Sequence, residues 1–335
     1  MIPQTTPWAI NSFLGLADPI ITYTSPDGDV WPLSGGLAPI PPLEGVAASS
    51  FKGLMAPIKH IDQQGALEDG ATWQGAVYDP AEIDIDCELF ANSPQTYRTI
   101  ERRFIASWDP RRLGVLRWST PDIGTWWVPL RLLNDIDATF KASPGQQGHA
   151  TLTVTARVDQ AFWQSFDSVC TVPGGNGFVS LPNWGDQPAW ARHLLYGPGT
   201  FTFQDPNGPV TFGPLLPGQV VLLTSRPGWR SVLDVTPNQP TPVQQSIWQE
   251  WLSTLVSLVA NSNTPPLLSA IESAFGIVPP QGNLYSLLNG RFFTPVPPMS
   301  EVAGVSPWHM AVSTTGGSSA TKVVSALTPL RKWPE

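Results

Sequence analysis

The chain has 335 residues, a length that suits about two domains with separate cores, and 41% of them are hydrophobic, which excludes a chain disordered by composition. Charged residues make up only 13%, against roughly 25% in ordinary soluble domains, while Trp occurs 15 times. Net charge is 18 − 26 = −8 with no Lys/Arg-rich run, so the electrostatic footprint of a nucleic-acid binder is missing.

Few charges and many Trp point to rings held in contacts between chains, with two aromatic-rich cores in a monomer as the alternative. The start, Met1-Ile2-Pro3-Gln4, has neither the basic region nor the apolar core of a signal peptide. Residues 251–260, the most apolar stretch, are too short and interrupted to span a bilayer. A soluble protein made in a cytoplasm, without membrane insertion, is expected. The 37 Pro and 29 Gly favour short strands over long helices.

In chain order, residues 20–24 and 30–33 flank Ser25-Pro26-Asp27-Gly28 and read as a β-hairpin. Ile83, Ile85, Cys87 and Leu89 alternate with Glu82, Asp84, Asp86 and Glu88, the pattern of a half-buried strand. Ser93 then offers an N-cap and Pro94 a first helical residue; Tyr97, Ile100, Phe104 and Trp108 follow at helical spacing until Asp109-Pro110. Leu152, Val154, Ala156 and Val158 alternate with Thr151, Thr153, Thr155 and Arg157 as a second half-buried strand. A break near residues 163–177 divides the chain into domains at 1–164 and 165–335. Phe201 and Phe203, then Val210 and Phe212, flank Asp205-Pro206-Asn207-Gly208 as another hairpin. Ile247, Trp251, Leu255 and Leu258, then Leu267, Leu268, Ile271 and Phe275 before Gly276, predict a helical insertion at about 240–290. Residues 313–320, small and polar, are expected as a mobile loop. The fold class is therefore mainly β: a first β-barrel-like or sandwich domain with a flanking helix, then a second β domain carrying a helical insertion.

No catalytic constellation emerges. There is no G-x-S-x-G elbow and no H-E-x-x-H helix. Residues 213–220 have the glycine spacing of a phosphate loop but lack its Lys and Ser/Thr. His60, His149, His193 and His309 are dispersed, and Cys87 and Cys170 are too few for a disulfide framework or a four-ligand zinc site, with Cys87 on a buried strand phase. The row Glu82, Asp84, Asp86 and Glu88 reads as a solvated strand face, with inter-subunit contact and calcium binding as alternatives. No cofactor, metal or catalytic residue is assigned, and the chain is read as a non-enzyme.

The order of short segments resembles the distal tail protein (minor tail protein) family of long-tailed siphophages, closest to those of phages infecting actinobacteria. In the first half these are Gly53-Leu54 through Lys59-His60, Gln64-Gly65-Ala66, Asp69-Gly70 and Tyr78-Asp79-Pro80, running into strand 83–90, with Asp159-Gln160-Ala161-Phe162-Trp163 at the handover. In the second half, Leu181-Pro182-Asn183-Trp184-Gly185-Asp186-Gln187-Pro188 is similar to the N-x-G-D-x-P stretch that opens that family's galectin-like sandwich. Leu195-Tyr196-Gly197-Pro198-Gly199, Leu216-Pro217-Gly218-Gln219 and residues 326–335 resemble further stretches of it. The insertion at 240–290 departs from the simplest members.

The resemblance implies a structural virion protein at the tail tip, a homohexameric hub ring formed by the first domain, with the galectin-like domain outward. Its partners would be the tail tube protein and the tail-tip hub, spike or receptor-binding proteins. Trp126 and Trp127, adjacent on a strand and so facing opposite sides, are candidates for one interface patch. Trp184 and Trp190, with Trp229, are candidates for a surface platform; a carbohydrate-binding module of a tail adhesin is the alternative function they would serve.

Overall fold

Turn chemistry fixes the first pairing. The computed structural model describes residues 19–36, 38–40, 43–64, 69–139, 148–227, 232–236, 284–299 and 308–335. In it the Ser25–Gly28 reversal joins β1 (Ile20–Thr24) to β2 (Val30–Ser34), Gly28 taking the positive φ of 91° that the turn requires. The chain forms two compact units, residues 1–165 with 331–335, and residues 166–330. The architecture is mainly β, with one α-helix, Pro94–Ala106, among the described residues.

Unit 1 continues with β3 (Gly45–Lys52), β4 (Ile58–Gln63), β5 (Thr72–Tyr78), β6 (Ala81–Phe90), α1 (Pro94–Ala106), β7 (Gly114–Thr120), β8 (Gly124–Leu132), β9 (Asp137–Thr139), β10 (His149–Val158) and β11 (Trp163–Gln164). Its sheet runs β2-β1-β7-β8-β10-β6-β3, with β9 beside β10 and β11 beside β8. Alternation in β6 puts Ile83, Ile85, Cys87 and Leu89 inside, and β10 answers with Leu152, Val154, Ala156 and Val158. Helix α1 starts where the sequence says. Ser93 Oγ accepts from the Thr96 amide at 3.1 Å, Pro94 follows, and Tyr97 and Phe104 are buried.

Tryptophan fills this core. Trp31, Trp108, Trp118, Trp126 and Trp163 are all buried, with Tyr23 stacked on Trp108 at 3.8 Å and Trp163 donating to Leu54 O at 2.8 Å. Much of the aromatic excess thus packs inside one unit. Among the described residues, Trp73, Trp184 and Trp333 remain exposed. Cys87 is a buried free thiol whose pKa burial pushes up to about 12.

Unit 2 is a sandwich of β12 (Ser168–Pro173), β13 (Gly177–Leu181), β14 (Arg192–Tyr196), β15 (Gly199–Asp205), β16 (Gly208–Leu215), β17 (Val220–Thr224), β18 (Val232–Asp234), β19 (Leu288–Asn289), β20 (Trp308–Thr315) and β21 (Lys322–Leu327), before β22 (Leu330–Arg331). One sheet runs β12-β21-β14-β17-β18 and the other β13-β20-β15-β16-β19. Phe201, Phe203 and Phe212 meet Leu195, Val221 and Leu223 between them. The second predicted hairpin is present as β15 and β16, closed at Asp205↔Gly208.

One expectation for this unit changes and another falls mostly outside the described residues. Residues 313–315, read as loop, finish β20, because Thr314 and Thr315 pair with Phe201 and Thr200 of β15; a partner strand makes Thr a strand residue whatever its neighbours. The predicted insertion lies for the most part outside the described residues. Its described end is a 3-10 turn, Leu284–Leu287, and then β19 paired with β16.

Candidate assembly surfaces

A projecting arm is the least core-like element of the structure. Strands β3 and β6 pair as far as Lys52↔Asp84, and the chain between them leaves the sheet as a separate two-stranded ribbon, β4 with β5. The base is fixed. Gly53 sits at φ 75°, where a Cβ would run into the Glu82 carbonyl. Leu54 and Ala56 are buried in the unit 1 core, the Asp79 amide donates to Pro57 O at 3.0 Å, and Tyr78 meets Phe162 edge-on at 4.9 Å.

Beyond that base every residue of β4 is exposed, and so is most of β5. Strand parity places Ile58, His60 and Trp73 on one side, with Trp73 Nε1 donating to His60 Nδ1 at 3.3 Å; Ile61 and Val77 lie on the other. Trp73 is 63% exposed, and Ile58, Ile61 and Val77 are each more than 40% exposed. Among Lys59, His60, Asp62, Gln63, Thr72 and Gln74, the arm thus carries exposed apolar side chains on both faces, covered on neither by the described residues. An isolated two-stranded ribbon is marginal in water, so this one depends on its rigid base or on a partner.

The five Trp singled out from sequence have different fates. Parity holds for Trp126 and Trp127, as one turns in and the other out. Trp126 is 2% exposed, donates to Ile123 O at 3.3 Å and carries the Arg331 guanidinium 4.6 Å above its ring. It therefore has no surface to offer another chain, and of this pair only half-buried Trp127 does. Trp190 is half-buried, Trp184 is 59% exposed, and Trp229 lies outside the described residues.

Trp184 is presented by a rigid loop. Asn183, fully buried, donates through Nδ2 to Gln187 O at 2.9 Å and Val296 O at 3.1 Å, and its Oδ1 accepts from the Gly185 amide at 3.0 Å. The amides of Asp186 and Gln187 donate to Leu330 O, and a Cβ on Gly185 would collide with the Leu330 backbone. The N-x-G-D stretch thus does structural work and holds up one solvent-facing ring.

The carboxylate row lies on one face of β6 opposite its buried residues. Asp84 accepts from Thr155 Oγ1 at 2.7 Å; Asp86 accepts from Thr153 Oγ1 at 2.8 Å and Ser50 Oγ at 2.6 Å, with Lys52 Nζ at 3.5 Å. Hydrogen bonds from Ser50 and Thr153 hold the Asp86 carboxyl below its usual range. Among the described residues no three His, Cys, Asp or Glu side chains gather as a metal site, and no helix is long and apolar enough to cross a membrane.

No protein-family model and no curated protein matches the chain. Solved structures do. The chain is similar to the SPP1 Dit (gp 19.1) protein, whose crystal structure is described as a paradigm of the hub adsorption apparatus in Gram-positive infecting phages. That match has a TM-score of 0.52 over 93% of this chain and 99% of that one, at 10% identity. Chains of the phage P2 baseplate in its activated conformation, with Ca and with Sr, align over 94% of this chain and 99% of theirs. Their TM-scores are 0.48 and 0.46, at 10% and 11% identity. The likeness to the Dit protein is one of fold and spans both units.

Proposed function

We propose that the chain is a structural, non-enzymatic virion protein of a long-tailed phage: a distal tail protein that closes into a hexameric ring joining the tail tube to the tail-tip complex. The fold shared with a hub protein supports that class of structure. The likeness of residues 326–335 to members from actinobacterial phages supports that branch. In this reading unit 1 builds the ring, and unit 2, a galectin-like sandwich, projects outward as spacer and docking surface. Its partners are copies of itself, the tail tube protein and the tip proteins, without cofactor or nucleic acid.

The observation that carries the assembly reading is the β4–β5 arm. Apolar side chains on both faces of a rigidly based ribbon gain roughly 25 cal/mol for each Å² that another chain covers. The arm is one patch and its receiving surface another, which is the heterologous contact that ring closure requires. Ile61→Asp with Val77→Asp alters two exposed positions, so the unfolding free energy of the isolated chain is expected to stay within about 0.5 kcal/mol. Tails assembled with this variant are expected to lack the ring, as seen in particle reconstructions. Normal tails from the variant, or wild-type tails carrying the chain off-axis or in a number other than six, would sink the reading.

The fixed, exposed Trp184 favours a second reading, a carbohydrate-binding module, since an ordered aromatic face suits a sugar ring. The two separate on a glycan array. A docking surface gives no saturable glycan binding, whereas a sugar module gives binding that Trp184→Ala abolishes.

A further inference from the structure

The cations of α1 and the loop after it are sorted by what faces them. Arg103 is paired with Asp29 at 2.6 Å, and Arg112 with Asp27 at 2.5 Å and Asp109 at 2.8 Å. Arg98, Arg102 and Arg111 are exposed and make no ion pair among the described residues. Tyr97 and Phe104 hold the opposite side of α1 in the core, so the outward stripe is basic. This arrangement works against the helix. Arg98 and Arg102 are one turn apart and repel by about 0.2–0.5 kcal/mol, and the first turn has no acidic residue to complement its dipole. On a chain with net charge −8, a bare basic helix face is out of character.

Unit 1 also carries a surface of the matching sign. Glu82 is exposed, and Asp84, Asp86 and Glu88 are half-buried along one face of β6. The hydroxyls of Thr155, Thr153 and Ser50 fix the two Asp carboxylates. Nearby cations are few and engaged: Lys52 lies beside Asp86 and Arg157 turns to Asp159 at 3.1 Å; the His149 ring is 3.6 Å from Glu88. Alternate residues of a strand recur every ~7 Å, and one turn of helix separates side chains by roughly 5–6 Å. Over the single step from Arg98 to Arg102 the two spacings differ by only about 1–2 Å, within the reach of long arginine side chains. No ion pair joins them within one copy among the described residues.

We infer that the arginine stripe of α1 in one copy docks on the carboxylate row of β6 in the next, so that α1 and β6 form the two sides of a heterologous contact between copies. This rests on the assembly reading above and adds to the arm's contact a second pair of surfaces between the same two copies. The occupant is a second copy because the complementary row belongs to the same chain, and two different patches are what a closed ring needs.

The test is charge reversal on the full chain. Arg98→Glu with Arg102→Glu exchanges one exposed like-charge pair of α1 for another, so this variant is expected to melt close to wild type, within about 0.5 kcal/mol. In sedimentation velocity at low salt, wild type is expected to self-associate and added salt to reverse it. The variant is expected to associate about tenfold more weakly or worse. Glu82→Arg with Glu88→Arg is expected to lose association too, and mixing the two variants to restore it. Should the arginine reversal misfold, Arg98→Gln with Arg102→Gln replaces it, and should the carboxylate reversal misfold, Glu82→Gln with Glu88→Gln does; loss of association then stands in for the mixing arm. Wild type that stays monomeric at low salt, association that survives both reversals, or a mixture that fails to recover would each overturn the contact; survival of both would assign the arginines to another partner. A six-fold ring in assembled tails would leave the assembly reading standing in all three cases.

Discussion

Asp167→Ala is expected to lower the unfolding free energy of the chain by about 3–5 kcal/mol. Arg192 opens β14 and is only 2% exposed, so its charge is almost wholly out of water. Its Nη2 donates to Asp167 Oδ2 at 2.8 Å and to Thr328 Oγ1 at 2.7 Å, and Thr328 Oγ1 donates to Asp167 Oδ1 at 2.6 Å. The closed triangle joins the ends of three neighbouring strands, with Asp167 just before β12, Thr328 just after β21 and Arg192 on β14. Burial lowers the guanidinium pKa and Asp167 raises it again, which is the sign of a charge that depends on its carboxylate. Removing that carboxylate leaves the desolvation cost in place without the attraction that offset it. Denaturant midpoints for Asp167→Ala and for Asp167→Leu with Arg192→Met separate the effects: the single change should be the more damaging. A single variant within about 1 kcal/mol of wild type would show that the triangle holds nothing together.

The fold was legible where one face of an element is wet and the other dry. In β6, Ile83, Ile85, Cys87 and Leu89 against Glu82, Asp84, Asp86 and Glu88 leave no other reading, and Ser93-Pro94 marks the start of α1 equally plainly. Where both faces share one environment, the period disappears. Ile58-Lys59-His60-Ile61-Asp62-Gln63 does not alternate because neither side of β4 meets a core. Val220-Val221-Leu222-Leu223 does not alternate for the opposite reason: Val221 and Leu223 face the sandwich, while Val220 and Leu222 lie in a second apolar cluster with Leu194. One missing signal thus has two causes, and only the structure separates an exposed arm from a twice-covered strand.

The assembly surfaces were partly legible. Strand parity shows that Trp126 and Trp127 cannot share a core, but not which of them faces inward; packing around Ile123 and Arg331 decides that. The basic stripe escaped notice because Arg98, Arg102 and Arg111 are spaced by turns of helix and loop and form no run. Glu82 through Glu88 showed as a row because strand residues two apart stay on one face. A helix hides in sequence the patches that a strand displays.

Unit 2 is expected to lose stability in acid through a histidine that the sequence left unassigned. His193 is fully buried on β14, with Nδ1 2.8 Å from Ser325 Oγ on β21 and its ring 4.7 Å from Phe203 and 5.5 Å from Phe292. Among the described residues Nε2 has no hydrogen-bond partner, so a second proton would be buried against aromatic carbon. Burial pulls its pKa down to about 3. The folded pKa lies below the ordinary value near 6.5, so below pH 6.5 the unfolded chain takes up a proton that the native chain refuses. The contribution is complete above pH 6.5 and is lost as pH falls toward 3, at roughly 1.4 kcal/mol per pH unit. Asp109, held down to about 2 by Arg112, and Asp86, held low by Ser50, keep their charges well below this window. Between pH 6.5 and 4.5 a loss of about 2–3 kcal/mol is therefore expected from His193. His193→Gln, neutral throughout, should cost stability at pH 7.5 but flatten that slope in denaturant titrations run across the window. A wild-type midpoint that does not move between pH 6.5 and 4.5, or a variant that keeps the full slope, would remove His193 from the account.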